Sequence, residues 1–253
     1  MKLKLIFFLL FIYHQVLFAQ FIGDQKLYYG VSYYPETWPE SFVEEDIQMM
    51  KDLNMNVVRM AEFSWSKMEP QEGKYDFQWL HEIIEKLHEN EIDVILGTPT
   101  ATPPAWLWDK YPEIGIIDEE GKRHYHGARK DYSYTSEIYL KKSKEIVVRM
   151  AEEFGNKPGV IGWQIDNEFS LHHDYSEETK EKWHQWLRKK YGTIENLNQI
   201  WATDLWSQTY QSFEQIPMPR SWIWHHNSLK WDWELFASEM VTNYMNMQVA
   251  VIR

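Results

Sequence analysis

Val160-Ile161-Gly162-Trp163-Gln164-Ile165-Asp166-Asn167-Glu168-Phe169 begins as an apolar run and then turns abruptly to three polar side chains. The pattern predicts a strand over 160–165 whose carboxyl end presents Asp166, Asn167 and Glu168 to a site. Working back along the chain, Asp93–Thr98 (DVILGT) predicts a strand buried on both faces, because its apolar run is unbroken. Val57–Met60 predicts another, and Leu27–Tyr34 (LYYGVSYY) is a β-rich run stopped by Pro35. Helical periodicity fills the intervals. Ser41 reads as an N-cap with Glu44 three residues on, followed by Phe42, Ile47, Met50 and Leu53 at roughly helical spacing. Asp76–Asn90 carries Phe77, Leu80, Ile83, Ile84 and Leu87 on one face, and Ser136–Phe154 forms a third helix closed by Gly155 beside Pro158.

Strands alternating with helices predict βαβ units and a parallel sheet. Long loops follow the third and fourth strands, and the carboxyl ends of strands are where open α/β sheets and barrels bind ligands. No GxGxxG or GxxxxGK[ST] follows any strand, so nucleotide-binding versions lose support and a (β/α)8 TIM barrel is the better fit. After residue 168 the pattern becomes helical over Glu177–Tyr191, Ile194–Trp201 and Leu229–Arg253, with no convincing fifth strand. A whole barrel needs eight strands and about 250 residues. The expectation for 20–253 is therefore the first half of a barrel, strands one to four with their helices.

The 253-residue composition narrows the function. A formal net charge of −12 argues against nucleic acid, which needs a basic surface, and 44% apolar residues are ample for a core. Cysteine is absent, which excludes disulfides, cysteine-ligated zinc and thiol catalysis. Aromatic residues reach 16%, with 14 Trp, which suit a binding cleft and a core equally well. At the start, MKLKLIFFLLFIYHQVLFAQ sets Lys2 and Lys4 before an apolar run and Ala19 before Gln20, the layout of a secretory signal peptide. Residues 1–19 are expected to be removed on export to the periplasm or beyond.

The strand ends read together carry a resemblance. Tyr33-Tyr34-Pro35-Glu36-Thr37-Trp38-Pro39, Arg59-Met60-Ala61-Glu62-Phe63-Ser64-Trp65, Thr98-Pro99-Thr100-Ala101-Thr102-Pro103-Pro104-Ala105-Trp106 and the 162–169 run resemble the family 42 glycoside hydrolases, β-galactosidases of the large retaining (β/α)8 clan. The likeness continues through Tyr191-Gly192-Thr193-Ile194-Glu195-Asn196-Leu197-Asn198, Trp201 and Trp206-Ser207-Gln208 to the C-terminus. It implies release of terminal non-reducing β-D-galactose by double displacement, without a cofactor. It also implies that Glu168 is the acid/base proton donor, that Asn167 meets the sugar 2-hydroxyl, and that Arg129, in Gly127-Ala128-Arg129-Lys130, binds galactose. A guanidinium suits that role because it offers a rigid fork of donors. A carboxylic acid enclosed among aromatic residues at a barrel mouth holds its proton near neutrality, as the donor must.

A retaining enzyme needs a second carboxyl about 5 to 5.5 Å from the first. In the resembled family that nucleophile ends strand seven, beyond the four strands read here; neither Glu36 nor Glu62 matches its position. Glu62 is expected to partner Arg59, and Arg59, Glu62, Trp65 and Trp106 are expected near the cleft. The chain alone is expected to be inactive and poorly soluble, because a half barrel leaves sheet edges open. Two other readings stay open: a retaining glycosidase of other specificity, such as an arabinosidase or fucosidase, and an inactive sugar-binding homologue or a fragment needing a second chain. Family members commonly form trimers, which makes a homotrimer the expected assembly of a full-length protein. Some members bind zinc through cysteines after the acid/base; this chain has Leu171-His172-His173-Asp174 there, read as solvated loop with no metal, as is His225-His226. Trp183, Trp186, Trp231 and Trp233 fall in helical stretches and are expected to pack.

Overall fold

A computed structural model describes residues 26–127 and 129–253, so the expected signal peptide at 1–19 lies outside the described residues. Four strands, β1 (Gly30–Ser32), β2 (Val57–Met60), β3 (Asp93–Gly97) and β4 (Val160–Gln164), pair in chain order, and every pairing is parallel. The crossovers carry α1 (Val43–Asp52) and α3 (Gln78–Glu89), with the one-turn α2 (Trp65–Met68) between them, then the short α4 (Ala105–Lys110) and the long α5 (Glu137–Phe154). After β4 come α6 (Glu177–Tyr191), α7 (Ile194–Trp201) and α8 (Asn227–Ile252). Sequential parallel strands joined by helices are the building units of a (β/α)8 barrel, and those described here correspond to its first four strands.

One side of the sheet makes the main core. Val58 and Met60 of β2 and Val94 and Leu96 of β3 are buried under Ile47 and Met50 of α1, Leu80, Ile84 and Leu87 of α3, and Ile146, Val147 and Met150 of α5. The other side carries Arg59 and Ile95, which are only half-buried. The unbroken apolar run of β3 thus predicted too much: one of its faces is closed by helices, and the other is partly open among the described residues. A second core gathers Trp183 and Leu187 of α6, Leu197 and Trp201 of α7, and Trp233 and Phe236 of α8. The C-terminal half of α8 then returns to the first core through Tyr244. Trp231 departs from the packing expected of it; it sits on the outer side of α8 and is 66% exposed.

Local chemistry explains where the elements start. Ser136, Ser176 and Thr193 cap α5, α6 and α7, each side-chain oxygen accepting from a backbone N–H three residues on. Ser41 does not cap. Residues Glu40–Phe42 turn as a 3-10 segment after Pro39 and the helix begins at Val43, so Ser41 is already inside the turn. Only Gly30–Ser32 of the expected 27–34 strand pairs as strand, because Asn56, ahead of β2, takes over the edge: its side chain and backbone bind Tyr29 and its amide donates to Leu27 O.

Gly97 ends β3 at a close approach: a Cβ there would lie 2.4 Å from Glu62 Cβ and 2.9 Å from its Cα. Gly97→Ala is expected to lower the unfolding free energy by about 2 kcal/mol, the usual cost of forcing atoms into a packed site. Urea unfolding measures it, and an unchanged midpoint would contradict the tight contact between the ends of β2 and β3.

Candidate functional site

The carboxyl ends of all four strands open on the same side of the sheet, and the polar side chains there form a connected chain. Arg59, on the half-open face of β2, donates to Ser32 Oγ at 2.8 Å and to the Tyr34 hydroxyl at 3.1 Å. Its guanidinium pairs with Glu62 at 2.8 Å, and the Tyr34 hydroxyl donates to the same Glu62 oxygen at 2.8 Å. Glu62 is fully buried among the described residues, as the partner of Arg59 and Tyr34. Tyr34 packs on Phe63 with ring centroids 5.6 Å apart, and the Arg129 guanidinium lies 5.3 Å from the Phe63 centroid. Arg129 in turn meets Glu168 at 3.3 Å. The sequence places Arg129 and Glu168 in separate loops 39 positions apart, and the fold brings them into contact.

Lys130 reinforces that contact, with its ammonium 3.9 Å from the Glu168 carboxylate and donating to the Glu168 carbonyl. Glu168 itself is open, its side chain 66% exposed. The enclosure expected around it is not supplied by the described residues. Asn167 is only 5% exposed, and its side-chain oxygen accepts from Gln164 Nε2 at 3.3 Å. The carboxyl that burial does act on is Asp166. It has no solvent exposure, and desolvation pushes its pKa up although the hydroxyls of Thr100 and Tyr244 and the Asn167 amide oppose the rise. Glu36, at the end of β1, is also pushed up by burial, with the Ser64 hydroxyl, 2.7 Å away, acting against it.

Trp65 departs from the cleft wall expected of it, while Trp106 stays partly open. Trp65 is wholly buried and its indole N–H donates to Glu69 Oε2 at 2.8 Å, while the half-buried Trp106 donates to the Glu69 carbonyl at 2.8 Å. Both indole N–H groups therefore bind the one buried residue Glu69. Phe63, Tyr34 and Lys130 take the places beside Arg129 and Glu168 instead. Phe63 and Tyr34 sit inside the strand-end runs, but sequence position alone did not show which of several aromatic residues faces the opening.

The 171–174 segment is also not the solvated loop expected. Asp174 is 5% exposed and accepts from Ile117 N at 2.8 Å, Ser133 Oγ at 2.6 Å, Ser176 N at 3.0 Å and Ser176 Oγ at 2.7 Å, with Thr179 Oγ1 beside them. It ties the loop after β3 to the start of α6. His172 is half-buried against Tyr134, and His173 lies 3.2 Å from Glu234. His225 is buried, accepting the Arg220 amide at 3.0 Å, and His226 caps α8.

Burial and nearby Lys230 lower the His225 pKa from its ordinary value of 6.5. The unfolded chain therefore takes up the proton first as pH falls below about 6.5, and stability is lost in that range. His225→Gln removes this titration, so its unfolding free energy relative to the parent is expected to rise between pH 7.5 and 5.5. A pH-independent difference would contradict the buried, neutral imidazole.

A parallel βα sheet with an arginine, an asparagine and a glutamate gathered at its carboxyl ends defines an α/β protein of barrel type. The sequence model of glycoside hydrolase family 42, described as Beta-galactosidase, matches residues 32–253, and the chain belongs to that family. It is 43% identical over 232 residues to "Beta-galactosidase YesZ" of Bacillus subtilis, covering 90% of this chain and 35% of that relative. With "Beta-galactosidase BgaA" of Clostridium cellulovorans the identity is 42% over 225 residues, covering 88% and 34%. The crystal structure of a β-galactosidase from the psychrophilic Marinomonas ef1 superposes with a TM-score of 0.86 at 39% identity, covering 90% of this chain and 35% of that one. The chain spans about a third of the length of these relatives.

Proposed function

We propose that this chain supplies the first four βα units of a retaining β-galactosidase that releases terminal β-D-galactose. Glu168 is the acid/base: it protonates the leaving oxygen and then takes a proton from the incoming water. Asn167 binds the sugar 2-hydroxyl and Arg129 a ring hydroxyl of galactose. The attacking carboxylate belongs to strand seven, as in the resembled family. The observation that carries this reading is the meeting of Arg129 and Glu168 at 3.3 Å across two strand ends, on the side of the sheet where barrels bind ligands. Lys130 beside them keeps positive charge against the Glu168 carboxylate and its carbonyl, which fixes the loop on the glutamate.

The test uses a complete barrel, made by joining this chain in frame to the part of the Bacillus subtilis relative that it does not cover. The joined enzyme is expected to hydrolyse nitrophenyl β-galactoside in preference to the corresponding arabinoside and fucoside, whereas the 253-residue chain alone is expected to hydrolyse none of them. Preference for another glycoside would replace galactose in this reading. Turnover by the chain alone would require a nucleophile within it. In the same reading residues 1–19 direct export, the mature protein begins at Gln20, and the whole enzyme assembles as a homotrimer. N-terminal sequencing of secreted protein and its mass in solution test these two points.

A further inference from the structure

Two residues before Glu168, Asp166 closes a ring of hydrogen bonds on itself. Its backbone N–H donates to Thr98 Oγ1 at 2.6 Å, and the Thr98 hydroxyl donates to Gln248 Oε1 at 2.6 Å. Gln248 Nε2 donates to Thr100 Oγ1 at 3.1 Å, and the Thr100 hydroxyl donates to Asp166 Oδ2 at 2.6 Å. The Tyr244 hydroxyl adds a second donor to Oδ2 at 2.7 Å, and the Asn167 amide donates to Oδ1 at 2.6 Å. Thr98, Thr100, Asp166, Tyr244 and Gln248 are all buried, so water does not compete for these bonds.

The backbone at this point is one that side chains resist. Asp166 has φ +53° and Glu168 φ +54°, both left-handed without being glycine. Such a residue costs roughly 1–2 kcal/mol and persists where its surroundings over-determine it. Thr98 and Thr100 come from the end of β3, and Tyr244 and Gln248 from α8, so two distant elements grip the turn from both sides. Tyr139 of α5 steadies Tyr244, its hydroxyl 2.8 Å from the Tyr244 hydroxyl and 2.6 Å from the Thr100 carbonyl.

We infer that Asp166 is a positioning residue: the ring through Thr98, Gln248 and Thr100, with Tyr244, holds the left-handed turn that carries Asn167 and Glu168 to the mouth. This rests on the reading of Glu168 as proton donor. Displacing a reacting group by about 1 Å costs on the order of 10²-fold in rate. In the joined enzyme, Asp166→Ala is therefore expected to lower kcat/KM, which reads the glycosylation step, about 10²-fold on alkyl galactosides, whose leaving group needs protonation. Its effect on kcat/KM for dinitrophenyl galactoside, whose leaving group departs unaided, is expected to be a few-fold. Asp166→Asn keeps an acceptor for the Asn167 amide and offers an N–H to the Thr100 and Tyr244 oxygens, and it is expected to restore most of the loss.

Glu168→Gln is the control. If it shows the split between the two substrates and Asp166→Ala lowers both equally, Asp166 has a structural role only and the inference falls. If Glu168→Gln itself shows no split, the proton-donor reading falls instead. An independent readout needs no activity. In the full 253-residue chain, Tyr244→Phe is expected to speed hydrogen exchange of the Asn167 amide about tenfold or more while leaving the mid-sheet Leu96 amide unchanged. Equal exchange at Asn167 in parent and variant would overturn the inference.

Discussion

Glu168→Gln in the joined enzyme is expected to lower kcat/KM on alkyl galactosides by about 10² to 10⁴, the range that a positioned acid contributes. The amide keeps the size and the hydrogen bonding of the side chain but has no proton to give. Dinitrophenyl galactoside, with a leaving group stable as an anion, should form its glycosyl-enzyme at nearly the parental rate and then wait for unassisted water. Steady-state kinetics on the two substrates, with pre-steady-state bursts on the activated one, reads this directly. Equal loss of kcat/KM on both would contradict an acid at residue 168. The exposure of Glu168 sharpens the expectation, because among the described residues its carboxylate touches only the cations Arg129 and Lys130.

The largest effect on stability is expected from Asp174→Ala. Backbone N–H groups of Ile117 and Ser176 and hydroxyls of Ser133, Ser176 and Thr179 all point at this one carboxylate. Truncation leaves them buried around a void, and a buried donor left without its acceptor costs about 1–3 kcal/mol. Thermal unfolding should show a fall in Tm of several degrees or more, with the β3–α5 loop and the start of α6 loosening first. Asp174→Asn, which keeps one acceptor oxygen, is expected to lose less. A Tm within a degree of the parent for Asp174→Ala would contradict the role of Asp174 as the tie between those segments.

Sequence pattern reached furthest where local signals and tertiary contacts agree. Val57–Met60, Glu177–Tyr191 and Ile194–Trp201 have the bounds read from the chain, because β-branched runs, cap residues and the Gly192 break point the same way. Ser41 failed as a cap since Pro39 had already set a tighter turn, which propensity over four residues does not reveal. Trp65 and Trp231 failed in opposite senses. A strand-end tryptophan can face the opening or the core, and Trp65 turned inward because Glu69 offers its indole an acceptor. A helical tryptophan can face either way too, and α8 is apolar on so many sides that periodicity did not mark Trp231 as its outer face.

At the site, the run ending in Asp166-Asn167-Glu168 was legible as a strand delivering polar groups, and the loop arginine was legible through the family resemblance. The contact between them was not, and neither was the support beneath. Asp166 looked like one more polar residue in the run, while its partners Tyr244 and Gln248 lie 78 and 82 positions later in a helix. Nothing in the local sequence signals that the hydroxyl and amide of one element will close a ring through another. That information resides in the packing of α8 against the ends of β3 and β4.

The most direct measurement of the central claim is the product formed when Glu168→Ala in the joined enzyme is given activated galactoside and azide. An acid/base position leaves the nucleophile in place, so azide attacks the glycosyl-enzyme from the face that water would have used. The expected product is β-galactosyl azide, with turnover rising as azide is added. α-Galactosyl azide would mean that residue 168 is the nucleophile, and absence of rescue would mean that it is neither; both results contradict the account.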